Sequence, residues 1–115
     1  MNNKIKQQAK IVADIISRQE DFELIAHIAN KYFKHAGMSN TFIVTVPDVD
    51  YKKIGNFPPA YVSAPNEDVE LNLDILAVLL TTFARHNKLN EAVLMQKLSD
   101  RIIDIANSHT ELRDI

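Results

Sequence analysis

Hydrophobic residues recur every three to four positions through the first third of the chain. Ile5, Ala9, Val12 and Ile16 are spaced by four, three and four, which places them on one face of a helix. Phe22, Ile25, Ala29, Tyr32 and Phe33 keep that period in a shifted phase, because continuing the first stripe would require apolar residues where Gln19 and Glu23 stand. The polar run SRQED at 17–21 therefore predicts a kink or break, with Ser17 and Glu20 spaced as a capping box that restarts the helix. Lys34, His35 and then Gly37 mark its end, where cations suit the last turn and glycine suits a left-handed cap.

The period then changes. TFIVTV at 41–46 is β-branched and aromatic and is stopped by Pro47, which predicts a strand; AYVSA at 60–64 is a weaker strand signal. If the two pair, a long loop joins them in place of a tight turn. An isolated two-stranded hairpin is only marginally stable, so it must lie on the helices or join strands of another copy.

Helical spacing returns with Val69, Leu73, Leu76, Leu80 and Phe83, although VELNL at 69–73 also alternates as a strand would. A helix over 67–86 is the preferred reading, capped by Asn66 and with Glu67, Asp68 and Glu70 at its positive end. ILAVLL at 75–80 is apolar nearly all round, the composition of a helix buried on most sides. RHNKLN at 85–90 makes a turn, with Asn90 as the next N-cap and Leu89 placed to staple against Leu94.

The last helix spans 91 to about 112. Met95, Leu98, Ile102, Ile105, His109 and Leu112 alternate spacings of three and four, a heptad seam suited to self-association; Ile103 and Ala106 widen it toward an ordinary core face. The fold class predicted is mainly α (α+β), one domain over 1–115: a bundle of three to four helices with a short β-hairpin or extended Pro-rich arm between the second and third.

Composition narrows the chemistry. No cysteine is present, which removes thiolate metal sites, disulfides and cysteine nucleophiles and fits a reducing cytoplasm. There is no apolar core of a signal peptide and no run long enough to span a membrane. Net charge is −2, and although residues 1–36 lean basic and 67–115 lean acidic, no basic stripe argues for nucleic acid. The Lys-, Ile- and Asn-rich composition would suit a small phage or mobile-element accessory protein.

Candidate catalytic groups are few. Asp48 and Asp50 could share a divalent cation from an extended segment, yet a solvated turn explains them equally and the glycine and further ligands of a calcium loop are missing. Glu20, Glu23 and His27 share a helix face and could converge on a metal or act as acid and base, the basis of an alternative reading as a small metal-dependent enzyme. His109 on the seam is a potential pH-sensitive element, whereas His35 and His86 suit helix C-terminal ends without any function. No nucleophile motif occurs, and two glycines cannot build a phosphate loop. Neither a catalytic residue nor a cofactor is predicted.

The segment 47–65, PDVDYKKIGNFPPAYVSAP, holds all four prolines, one of two glycines and two of three tyrosines. Tyr51, Phe57 and Tyr61 offer flat amphipathic surfaces, Lys52 and Lys53 offer cationic donors, and Pro58 and Pro59 stiffen the backbone, a mixture suited to recognition. The competing role for Phe57 and Tyr61 is to tuck under the loop and complete the core. The functional expectation is a non-enzymatic, homo-oligomeric interaction or regulatory protein. It would bind a protein partner through the loop and self-associate through Met95, Leu98, Ile102, Ile105 and Leu112. The alternative is a binder of a small anionic or nucleotide-like ligand held by Tyr51, Lys52, Lys53 and Tyr61.

Overall fold

The computed structural model describes residues 2–64 and 66–113, with side chains through Ser108. Among these the chain is mainly helical. Helix α1 spans Asn3–His35, strands β1 (Ile43–Thr45) and β2 (Tyr61–Ser63) follow, and helices α2 (Val69–His86) and α3 (Glu91–Arg113) complete the order. The small sheet thus falls between the first and second of three helices, not between the second and third of four. The chain divides into two compact units, Met1–Glu67 and Asp68–Ile115.

Of the three to four helices expected from sequence, three form among the described residues, because α1 is unbroken through SRQED. Its packed side is not the stripe Ile5, Ala9, Val12, Ile16; Ile5, Val12 and Ile16 are exposed. The side that turns inward is Ile11, Ile15, Phe22, Ala26, Ala29 and Phe33, spaced four, seven, four, three and four, which is a single phase along the helix. Ser17 and Glu20 consequently sit in the helix interior and cap nothing. The real N-cap is Asn2, whose Oδ1 accepts from the Lys4 amide at 2.9 Å.

α1 ends as its sequence predicts. Gly37 takes φ +84°, its N–H donates to the Lys34 carbonyl, and Met38 N–H donates to the Phe33 carbonyl at 2.7 Å. These are the two reversed bonds of a Schellman cap, which satisfy carbonyls the helix leaves open.

β1 and β2 pair antiparallel, with Ile43 opposite Ser63, Val44 opposite Val62 and Thr45 opposite Tyr61. The sheet lies on α1, and the core of this unit is Phe22, Ala26 and Tyr61 with Ile15 and Ile43 packed around them. The Tyr61 ring stacks on Phe22 with centroids 5.5 Å apart, and its hydroxyl donates to the Ile15 carbonyl. One residue further along the strand, Val62 points away with Val44 beside it, both exposed, as the two-residue period of a strand requires. Ser63 returns to the helix, where its Oγ accepts from Asn30 Nδ2 at 2.9 Å.

In the second unit, residues 69–73 are helix, not strand, and the cap is Asp68 in place of Asn66: Asp68 Oδ1 accepts from Leu71 N–H at 3.1 Å. Asn90 caps α3 as expected, accepting from the amides of Ala92 and Val93. The turn between the helices repeats the Schellman arrangement, with Lys88 N–H on the Arg85 carbonyl and Leu89 N–H on the Ala84 carbonyl. Here the left-handed position is held by Lys88 at φ +54°, a non-glycine residue carrying a Cβ into crowded backbone.

Two stability outcomes follow. Lys88→Gly is expected to raise stability to urea by about 0.5–1 kcal/mol, relief of left-handed strain exceeding the added chain entropy of glycine. Tyr61→Phe is expected to lower it by about 1 kcal/mol, since the stacked ring stays while the half-buried Ile15 carbonyl loses one donor. Equilibrium denaturation followed by circular dichroism measures both.

Candidate functional site

Three groups of residues carry candidate chemistry, two in the first unit and one in the second. The first is the loop from 46 to 60. Its backbone folds back on itself after Pro47, which is buried, and Tyr51–Lys53 form a single 3₁₀ turn closed by Ile54 and Gly55 amides on the Tyr51 carbonyl. Tyr51 and Phe57 are half-buried, while Lys52 and Lys53 are exposed.

The five loop residues therefore do not share one surface role. Tyr61 is a core residue of its unit, its ring against Phe22 and its hydroxyl spent on a helix carbonyl. Lys52 and Lys53 instead meet the first two turns of α1: Gln8 Nε2 donates to the Lys53 carbonyl at 2.8 Å, and Lys4, Gln7, Gln8, Lys52 and Lys53 together line a polar cleft. Lys53 Nζ also lies 3.6 Å from Asp50 Oδ2, an exposed pair of small energetic weight. Asp50 thus has a cation partner within one turn of the backbone.

The second group is the α2–α3 hairpin. Leu73, Leu76, Leu80 and Ala84 of α2 face Leu94, Met95, Leu98 and Ile102 of α3 across an apolar groove of about 530 Å³. Burial falls away from the turn along α2: Ala84 is 0% exposed, Leu76 42%, Leu73 54% and Val69 67%. That gradient is the mark of two helices that touch at their joined ends and splay apart. On α3, Leu94 and Leu98 are half-buried, and Met95, Ile102 and Ile105 are exposed.

The seam expected on α3 is thus brought together in part. Leu98, Met95 and Ile102 line the groove, and Ile105 continues their spacing as an exposed residue. His109 and Leu112 lie outside the residues whose side chains are described. On α2 the periodic residues Leu73, Leu76 and Leu80 do form a wall of the groove, whereas the expectation that ILAVLL is buried on most sides fails, since Leu76, Val78 and Leu79 are exposed. The signal available was the surplus of apolar residues over any partner helix within that unit.

The third group, Glu20, Glu23 and His27, is exposed along α1. Among the described residues no three His, Asp or Glu side chains come together in a way that could hold a metal ion. No helix among them is long and apolar enough to cross a membrane. Compared with known proteins, the chain matches no protein family, no curated protein and no solved structure.

The Gln8 contact is the tie between the 3₁₀ turn and α1. Gln8→Ala is expected to leave global stability within about 1 kcal/mol, since one exposed hydrogen bond is lost. Hydrogen exchange at the Ile54 and Gly55 amides should accelerate, because the turn then opens independently of the core. Unchanged exchange at those amides would show that the turn holds itself.

Proposed function

We propose that the protein is a non-enzymatic interaction protein that acts as a homo-oligomer, two copies closing their splayed α2–α3 hairpins on one another as a four-helix bundle. The bundle expected from the sequence is on this reading completed between copies. The loop from 46 to 60, in the other unit, is the surface that meets a protein partner, with Tyr51, Lys52, Lys53 and Phe57 as its contact residues.

One observation carries the reading: a groove lined almost wholly by aliphatic side chains that widens away from the turn, within a hairpin whose only fully buried side chain is Ala84 among the described residues. Helices in proteins draw most of their stability from burying an apolar face, and inside the hairpin the two faces here close on each other only near the turn. A second copy supplies the matching shape, since an isologous two-fold contact sets the same patch against itself. The three-four spacing of Met95, Leu98, Ile102 and Ile105 is the spacing that lets helices interlock side by side.

The sizes agree. Six half-exposed aliphatic side chains per copy amount to roughly 500 Å² of apolar surface, and two copies therefore remove about 1,000 Å², the lower bound of a specific interface.

In sedimentation equilibrium the 13.0 kDa chain is expected to run as a dimer. Ile102→Asp and Leu76→Asp should each weaken it more than about a hundredfold, because a charge enters the interface twice in a symmetric pair. Val78→Asp, on α2 but outside the groove, should leave the dimer intact. A wild-type monomer at high micromolar concentration, or a dimer indifferent to both groove variants, would overturn the reading.

A further inference from the structure

The cleft between the start of α1 and the 3₁₀ turn has an unusual lining. It is an open cleft of about 350 Å³, within the range of small-ligand pockets, and its walls are Lys4, Gln7 and Gln8 on one side and Lys52 and Lys53 on the other. Every one of these side chains can donate a hydrogen bond, three are ammonium groups, and no carboxylate lines the cleft. The two walls come from segments 45 residues apart and are held together by Gln8 on the Lys53 carbonyl. The approach of Lys4 to the adjacent Lys52 and Lys53 is a product of the fold.

The charges are also poorly compensated. Of the three cleft lysines only Lys53 forms an ion pair with a carboxylate among the described residues, Asp50 at 3.6 Å. The first turn of α1 contains no acidic residue, and Lys4 and Lys6 stand there although the positive end of a helix disfavours cations. Local preference would place Asp or Glu at these positions, and departures of that kind concentrate where a ligand supplies the missing interaction.

We infer that this cleft binds a small phosphate-bearing anion. Three ammonium groups act as point charges suited to an anion of more than one charge, and the Gln7 and Gln8 amides add neutral donors beside them. A single carboxylate would leave most of these donors idle, whereas a di- or polyphosphate has oxygens for all of them. The same chemistry is offered by inorganic pyrophosphate and by the phosphate tail of a nucleotide. The cleft belongs to the first unit, so its ligand binding does not depend on association through α2 and α3.

The test is calorimetric titration of the purified protein at low salt with pyrophosphate, ATP and adenosine. Saturable binding of pyrophosphate and ATP but not adenosine is expected, with equal affinities if only the phosphates are held and tighter ATP if a base is also contacted. Lys4→Gln and Lys52→Gln should each weaken binding about tenfold, the effect of one charge-assisted contact. Gln8→Ala should weaken it several-fold without any change in charge. Lys97→Gln on α3 is the control for diffuse attraction, and Ile102→Asp should bind as the parent does whether or not the groove reading holds. The inference is overturned if neither phosphate compound gives saturable binding at millimolar concentration, or if Lys4→Gln and Lys52→Gln weaken it no more than Lys97→Gln.

Discussion

The contact of Tyr61 with α1 is the constraint on which the first unit rests. A two-stranded hairpin cannot stand by itself in water, and this one has three residues in each strand. It is held because Tyr61 is buried against Phe22 while its hydroxyl reaches the Ile15 carbonyl. Its strand neighbour two residues on, Ser63, takes a hydrogen bond from Asn30, so a one-residue slip would lose both ties and turn Val62 inward. Register, burial and hydrogen bonding therefore agree at two points of one strand.

Those ties, with the one from Gln8, use α1 as a ruler. Gln8 and Asn30 are 22 residues apart, about 33 Å along a helix. Strand β2 sits against the middle and later part of α1, and the loop runs back to its first turns. A break at 17–21 would uncouple one end from the other. Continuity of α1 is thus a requirement of the cleft as well as of the core, and the in-phase face from Ile11 to Phe33 provides it.

This also explains what the sequence could and could not reveal. The ends at Gly37 and Asn90 were readable because caps are local chemistry acting through neighbours a few residues away, but the same signals also pointed to Asn66 and to Ser17 with Glu20, where Asp68 caps α2 instead and α1 runs on. The change of phase at 17–21 marks no break, since α1 carries two apolar stripes and burial alone decides which one is the core. Ile5, Val12 and Ile16 make the more regular stripe, but the aromatic partner from β2 meets the other. Tyr61 looked like a recognition residue for the same reason, as an aromatic beside prolines has the same composition whether it faces inward or outward. The pairing of Lys4 with Lys52 and Lys53 had no local signal at all, because it is created by the return of the loop along α1. On α3, by contrast, the spacing of Met95, Leu98 and Ile102 was legible and is realised as one wall of a groove, while the exposure of the opposite wall depended on how far α2 and α3 diverge.

The two surfaces differ in physical kind, and that difference makes them separable. The α2–α3 groove is aliphatic and gains from exclusion of water, so strongly hydrated salts such as sulfate favour its burial. Anion binding in the proposed cleft at the start of α1 would rest on charge near the surface, where a Debye length of about 8 Å at physiological ionic strength screens it and other anions compete. Sulfate should therefore strengthen self-association while displacing a phosphate ligand. A ligand whose binding instead rose with sulfate in parallel with dimer formation would place the phosphate-binding groups at an interface, and Lys4, Lys52 and Lys53 would then act on it only at long range.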